Sequence, residues 1–113
     1  MRVVLLSPDL MLVSAAQGAA DRHGVDLTVA PDAGSAVKAC EDARLVVVDL
    51  RTPRINIESL MAELRGAATN VRVMACGPHV HEATLARAAA AGCDEVVTRG
   101  EFERRLDAAL ARL

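Results

Sequence analysis

An uninterrupted apolar run that ends in a carboxylate constrains this chain more than any other feature. Residues 45–48 read Leu-Val-Val-Val, Asp49 follows them directly, and Pro53 stands four residues later. A run without polar interruption predicts a parallel strand that is buried on both faces of a sheet. In open α/β sheets, ligands bind at the edge formed by the carboxyl ends of the strands. Asp49 is therefore the first candidate functional residue.

Strand and helix patterns alternate along the whole chain, which predicts one α/β domain over residues 1–113. The predicted strands are residues 3–6, 25–30, 45–48, 71–76 and 95–98. The predicted helices are residues 10–23, 33–42, 57–68, 81–91 and 101–113. Such alternation predicts a doubly wound, five-stranded parallel sheet with helices on both faces. We expect the flavodoxin-like order 2-1-3-4-5, because the first strand lacks the Gly-x-Gly-x-x-Gly motif of dinucleotide folds.

Composition excludes several function classes. No apolar run approaches the roughly 18 residues that span a bilayer, and the net charge of −2 gives no reason to expect nucleic acid as a partner. The N-terminal apolar segment is broken by Pro8 and Asp9, so we interpret it as a first strand rather than a secretory signal. The three cysteines are widely spaced and form no Cys-x-x-Cys pair, which is typical of a reducing compartment. We expect a cytoplasmic protein that binds neither membrane nor nucleic acid.

Two segments resemble the receiver domains of bacterial response regulators, and the resemblance covers essentially the whole chain. Residues 45–53 (LVVVDLRTP) are similar to the strand that presents the phosphoacceptor aspartate. Residues 90–99 (AAGCDEVVTR) are similar to the Ala-Gly-Ala-Asp-Asp stretch that leads into the fifth strand. The resemblance implies a receiver fold and a protein partner, either a histidine kinase or an effector. It also implies a reaction in which Asp49 attacks a phosphohistidine while Mg²⁺ neutralises the transferred oxygens.

The metal-binding positions of the family differ in this chain. The resemblance implies an acidic pair after the first strand, where Ser7 and Pro8 stand instead, and Asp9 comes one position late. Asp9 and Asp49 are then the two carboxylates left to hold a metal. Because Mg²⁺ requires oxygen ligands in near-octahedral geometry, we expect no cofactor, with Mg²⁺ as the one candidate.

The positions that bind the phosphoryl group differ as well. The family has a hydroxyl residue after the fourth strand, where this chain has Cys76 and Gly77, and a lysine after the fifth, where it has Arg99. Arg99 keeps the positive charge but not the compact ammonium group. The aromatic residue expected in the fifth strand is Val96. Of the reactive residues that the resemblance implies, Asp49 alone is in place.

We interpret the chain as a stand-alone, atypical receiver-like signalling module that is not an enzyme. It acts by protein–protein contact, without normal phosphorylation of the aspartate, and a homodimer through the last two helices and strand five is a further hypothesis. One alternative is a phosphorylatable receiver that uses Asp49 with an atypical Mg²⁺ site. Another is a small-molecule binding domain whose crevice is bounded by Ser7, Asp9, Asp49, Gly77 and Arg99.

Three local hypotheses concern the same edge. The first is that Arg99 pairs with Asp49, because guanidinium fits carboxylate in a bidentate manner. The second is a metal site that includes His79 and His81, although two histidines without further spaced ligands more often lie on a rim. The third is that Cys76 forms a reactive thiolate near Arg99, against its more common role as a small buried hydrophobe.

The predicted helix 81–91 contains six alanines, at positions 83, 86, 88, 89, 90 and 91. Alanine favours the helix and permits close packing on a sheet. Each alanine also buries little area, which predicts a surface element that is only lightly anchored. The sequence leaves both interpretations open.

Overall fold

Five parallel strands form one sheet in the order β2-β1-β3-β4-β5. The computed structural model describes residues 1–68 and 70–113. The strands are β1 (Arg2–Leu6), β2 (Asp26–Ala30), β3 (Ala43–Asp49), β4 (Arg72–Gly77) and β5 (Glu95–Thr98). The helices are α1 (Leu10–His23), α2 (Ala33–Ala39), α3 (Ile57–Ala67), α4 (Glu82–Ala90) and α5 (Phe102–Ala111). The predicted fold class and strand order are confirmed.

The sheet separates two apolar layers. Helices α1 and α5 cover one face, and α2, α3 and α4 cover the other. Along β3, Leu45 and Val47 enter the first layer while Val46 and Val48 enter the second, and none is more than 2% exposed. Burial on both faces explains why this strand has no polar alternation. Within residues 1–68 and 70–113, no helix has both the length and the apolar character that crossing a membrane requires.

Side-chain caps set where three helices begin. Asp9 accepts hydrogen bonds from the backbone N–H groups of Met11 (2.9 Å) and Leu12 (3.4 Å) at the start of α1. Asp32 and Asn56 cap α2 and α3 in the same way. Each cap satisfies an N–H group that the first turn of a helix leaves without a partner. The side chain of Asp9 is therefore committed to α1.

Several predicted boundaries are wrong by a few residues. The second helix stops at Ala39, and Cys40–Asp42 form a 3-10 turn instead of continuing it. Another such turn, Arg99–Glu101, precedes α5. Val25 lies outside β2 because its N–H binds the carbonyl of Ala20 and closes α1. Cys40 is buried like the apolar residues of α2, so the apolar pattern alone does not separate the first of these turns from the helix before it.

Candidate functional site at the carboxyl edge of the sheet

Asp49 is the last residue of β3 and lies opposite Cys76 in the pairing with β4. The predicted strand 45–48 stops one residue short, because the backbone pairing continues past the apolar run. Ser7 follows β1, the neighbouring strand on the other side. Asp49 is 4% exposed and Ser7 is 2% exposed. The central position of β3 thus brings a carboxylate and a hydroxyl together in a buried place.

Both carboxylate oxygens of Asp49 already accept hydrogen bonds. Ser7 Oγ donates to Oδ2 at 2.6 Å, and the backbone N–H of Arg51 donates to Oδ1 at 2.9 Å. Ser7 Oγ in turn accepts from the backbone N–H of Asp9 at 3.0 Å. The hydroxyl therefore uses its one proton on Asp49 and a lone pair on the β1–α1 loop. The buried carboxylate is satisfied by the chain itself.

The side chains at this edge do not fit a magnesium ion in the arrangement observed. Asp9 directs its carboxylate to the first turn of α1, and Ser7 directs its proton to Asp49. The described residues contain no group of three His, Cys, Asp or Glu side chains able to hold a metal, so exposed His79 and His81 form no such group either. A Mg²⁺ ion needs several oxygen ligands in near-octahedral geometry. Asp49 alone, whose two oxygens each accept a hydrogen bond, does not supply these ligands.

Most of the predicted site residues do come together. One small depression at the edge is lined by Asp9, Asp49, Cys76, Gly77 and Arg99, together with Leu12, Arg51 and Pro78. Its cavity measures about 10 Å³, which is at most the room that one water needs. A Cβ atom at Gly77 would lie 3.3 Å from Leu85 Cδ2 and 3.4 Å from Leu50 Cδ1. Side chains thus fill the crevice, and it offers no room for a small-molecule ligand.

The predicted ion pair between Arg99 and Asp49 is not formed. Among the ion pairs of the described chain, none joins these two residues within 4.0 Å. The guanidinium of Arg99 lies over the ring of Phe102 instead, 5.7 Å from the centroid. A cation above an aromatic face is attracted by the ring quadrupole. The first residue of α5 therefore holds Arg99.

Cys76 is buried, and its surroundings disfavour the reactive thiolate form. It is 1% exposed and packs in the layer under α1 and α5. Burial raises the pKa of its thiol to about 12, the charge of Asp49 acts in the same direction, and Arg99 opposes them. Burial also raises the pKa of Cys93 to about 11. Because the thiolate is the nucleophile, the reactive-thiolate hypothesis for Cys76 is wrong.

The loop after β3 contains contacts that the sequence analysis missed. The N–H of Arg51 and the carboxylate of Asp49 form an Asx turn, which an aspartate before a loop signals only weakly. Thr52, 6% exposed, donates from Oγ1 to the carbonyl of Leu6 at 3.4 Å. Arg54 adopts the left-handed conformation with φ of 62°. No sequence signal predicts this conformation for an arginine, because it is sterically disfavoured for residues with a Cβ.

This chain is closely similar to known proteins in fold but only distantly similar to them in sequence. No family model and no curated protein matches this chain. Among solved structures, the receiver domain of NtrX from Brucella abortus is 21% identical, with a TM-score of 0.82 over 97% of this chain and 95% of that one. The receiver domain of a sensor histidine kinase from Pseudomonas aeruginosa, crystallised with magnesium in its active-site cleft, is 20% identical, with a TM-score of 0.79 over 98% and 94%.

A third similar structure is a response regulator from Burkholderia pseudomallei that contains a phosphorylated aspartic acid. It is 22% identical, and the match has a TM-score of 0.77 over 96% of this chain and 65% of that one. At these identities the likeness establishes the fold alone. The chain has the receiver-domain fold, so the resemblance noted in residues 45–53 and 90–99 is confirmed at that level.

Proposed function

We propose that this chain is a receiver-like signalling module that acts by contact with another protein and does not pass a phosphoryl group through Asp49 in the usual way. The observation that carries the proposal is the buried 2.6 Å hydrogen bond from Ser7 to Asp49. A hydroxyl of the chain binds the carboxylate at the loop where receivers have an acidic pair. The proposal includes no enzymatic activity and no bound cofactor.

The chemistry of Asp49 supports a fixed state. A carboxylate that attacks phosphorus needs an accessible lone pair on one oxygen, and a metal normally neutralises the transferred oxygens. In Asp49, Oδ2 accepts from Ser7 and Oδ1 accepts from the backbone of Arg51. Each oxygen keeps a lone pair that accepts no hydrogen bond, but both oxygens lie beside a cavity of only about 10 Å³, which leaves little room for a phosphoryl donor. The closed cavity and the two hydrogen bonds therefore favour a single arrangement over a phosphorylation switch.

The alternative is a phosphorylatable receiver, and the position of Asp49 favours it. The residue ends the central strand of a receiver fold, and one similar structure contains a phosphorylated aspartic acid. This alternative needs an atypical Mg²⁺ site that includes Asp9 and Asp49. It also requires α1 to give up its Asp9 cap, which is a further cost.

The proposed partner is a histidine kinase or an effector protein. A homodimer through α4, β5 and α5 stays a prediction. We further propose a cytoplasmic location, for which the support is three cysteines that all remain free thiols.

Acetyl phosphate with Mg²⁺ tests the proposed function directly, with the receiver domain of NtrX as the positive control. We expect the wild-type chain to keep its intact mass, and its melting temperature to stay unchanged with Mg²⁺ and beryllofluoride. The double variant Ser7→Asp, Pro8→Asp restores the acidic pair and should gain a Mg²⁺-dependent rise in melting temperature, because metal then binds the folded state. A phosphoryl mass increment on the wild-type chain that Asp49→Asn abolishes would overturn the proposal.

A further inference from the structure

We propose that β2 pairs with the β2 strand of a second copy of this chain, antiparallel across a twofold axis that passes beside Thr28. The two five-stranded sheets then form one continuous sheet. Strand β2 lies at the opposite edge of the sheet from β5, so this interface is separate from α4, β5 and α5. The inference goes beyond the proposed function and does not depend on the chemistry of Asp49.

Strand β2 is an edge of the sheet, and among the described residues β1 is the strand with which it pairs. The outer side of an edge strand presents N–H and C=O groups that can pair with another chain. The N–H of Asp26 binds the carbonyl of Met1 at 2.8 Å, so it points toward β1. Successive backbone amides of an extended strand point in opposite directions. The backbone groups of Leu27 and Val29 therefore face outward.

The residues that flank this open edge fix the register of the pairing. The N–H of Val25 already donates to a carbonyl of α1 at 3.0 Å, and Pro31 has no N–H. A twofold axis beside Thr28 sets Leu27 opposite Val29 of the second copy, as a hydrogen-bonded pair. Both outward N–H groups of each copy then meet a carbonyl. A pairing centred one residue to either side instead requires a donor at Val25 or Pro31.

The side chains of β2 match in the same register. Leu27 is half-buried on the α1 side of the sheet, and Val29, 42% exposed, lies on the same face. The pairing sets these two apolar side chains opposite each other twice, and on the other face Thr28 meets its own copy. Cross-strand pairs of both kinds stabilise a sheet. Asp26 lies opposite Ala30 of the second copy, so the paired strands place no carboxylate opposite another.

The other edge of the sheet differs from β2 in both respects. In β5, Glu95 is held by Arg105 at 3.4 Å and by Arg112 at 3.1 Å, and Val97 is 1% exposed. Natural edge strands are commonly protected from pairing by lysine or proline. The sequence of β2, Asp-Leu-Thr-Val-Ala, contains neither and exposes Val29. These features favour β2 as the edge that pairs.

Sedimentation equilibrium of the full chain, from micromolar to millimolar concentration, tests the proposal. We expect a monomer–dimer equilibrium in this range, because a single short pair of strands buries a small interface. Val29→Lys places a charge against Leu27 of the second copy. It should weaken dimerisation on the order of tenfold, since two cross-strand apolar pairs are lost. The matched control is Val80→Lys in the loop after β4, 69% exposed, which should change the dimerisation constant by less than about twofold.

Thr28→Cys tests the register itself. In an antiparallel sheet the Cα atoms of a non-hydrogen-bonded pair lie about 4.5 Å apart, a separation that a disulfide spans. Oxidation by air with copper phenanthroline should therefore link two copies through position 28, as non-reducing electrophoresis would reveal. Ser14→Cys, at an exposed position of α1, is the control and should stay unlinked. The wild-type chain, whose cysteines are buried or half-buried, should stay unlinked as well.

A chain that stays monomeric at millimolar concentration would overturn the proposal. Equal weakening by the two lysine variants, or equal linkage of the two cysteine variants, would overturn it too. A dimer that Val29→Lys leaves intact uses another face, such as α4, β5 and α5, and has the same consequence. If Val29→Lys prevents folding, as circular dichroism would show, the cysteine variants decide. Phosphorylation of Asp49 would overturn the proposed function but leave these results unchanged, so the two failures are distinguishable.

Discussion

Ser7 is the residue whose side chain most directly sets the state of the site. Ser7→Ala leaves Oδ2 of Asp49 without a donor, in a place where the aspartate is 4% exposed. We expect this variant to lose about 1–3 kcal/mol of the free energy of unfolding, the usual penalty for an unpaired buried acceptor. Urea denaturation measures it. Ser14→Ala, on the exposed face of α1, is the matched control and should stay within about 0.5 kcal/mol of the wild type.

Equal stability of the two serine variants would mean that water reaches Asp49 and replaces the hydroxyl. The buried hydrogen bond would then not hold the aspartate in one state. The Ser7 variant is also the more informative background for phosphorylation, because it removes the donor to Oδ2 of Asp49 without adding a metal ligand.

At the residue scale, the sequence predicts where Asp49 lies but not what it contacts. An apolar run followed by a carboxylate is a local signal, and the strand places it at the edge. The hydrogen bond from Ser7 joins residues 42 positions apart, so nothing local announces it. Asp9 has a local signal of its own, because an aspartate directly before a helical pattern is a common N-cap. That signal would have assigned its carboxylate to α1 rather than to a metal.

At the element scale, Asp94 connects β4 to the segment that enters β5. Its Oδ2 accepts from the backbone N–H of Val73 at 2.8 Å and from Arg65 at 3.1 Å. Partial burial acts to raise the pKa of Asp94, but the hydrogen bonds from Val73 and Arg65 outweigh burial and hold that pKa below 3.8. The folded-state pKa is therefore lower than the unfolded one. The resulting stabilisation is present above about pH 4 and is lost as the pH falls through the folded pKa.

Asp94→Asn removes this charge-dependent stabilisation. We expect a loss of about 1 kcal/mol in the free energy of unfolding at neutral pH, because hydrogen bonds to a charged group exceed those to a neutral amide. The decline in stability below about pH 4 should also become shallower. Urea titrations across that range measure both effects, with exposed Asp26→Asn as the control. An unchanged pH profile would mean that other carboxylates account for the acid sensitivity.

We expect helix α4 to be only lightly anchored on the sheet. Its one fully buried residue is Ala88, with Leu85 half-buried, whereas α3 buries four residues. The exposed pair of Glu58 and Arg87 adds little, because solvent screens the attraction between two exposed charges. We expect amide hydrogens of α4 to exchange on the order of tenfold faster than those of α3. Hydrogen exchange resolved by residue measures this, and equal protection would favour the close-packing interpretation of the alanines.

Element positions were predictable where capping residues mark them. Gly24 ends α1 with φ of 65°, and Gly92 follows α4 with φ of 100°, as glycines after helices commonly do. The 3-10 turn at Cys40–Asp42 has no side-chain cap and no local signal, whereas Thr98 and Glu101 form a capping box around the turn Arg99–Glu101, a Thr-x-x-Glu signature that predicts a helical start. The second of these turns is also what separates Arg99 from the start of α5.

At the scale of the whole molecule, strand order follows from connectivity, but the shape of the edge does not. Alternating patterns and right-handed crossovers leave few arrangements of five strands, and the missing glycine motif selects among them. The closure of the crevice depends instead on where Leu50 and Leu85 pack against Gly77, which no sequence pattern indicates.

The ring of Phe102 has a spectroscopic consequence. The chain contains one phenylalanine, three histidines and no tyrosine or tryptophan. Its aromatic proton resonances are therefore few, and those of Phe102 come from a ring that is fully buried beneath the guanidinium of Arg99. Any ligand that draws Arg99 away alters the magnetic shielding on both sides of that contact. The molecule thus contains its own unlabelled reporter of occupancy at this edge, readable in a one-dimensional proton spectrum.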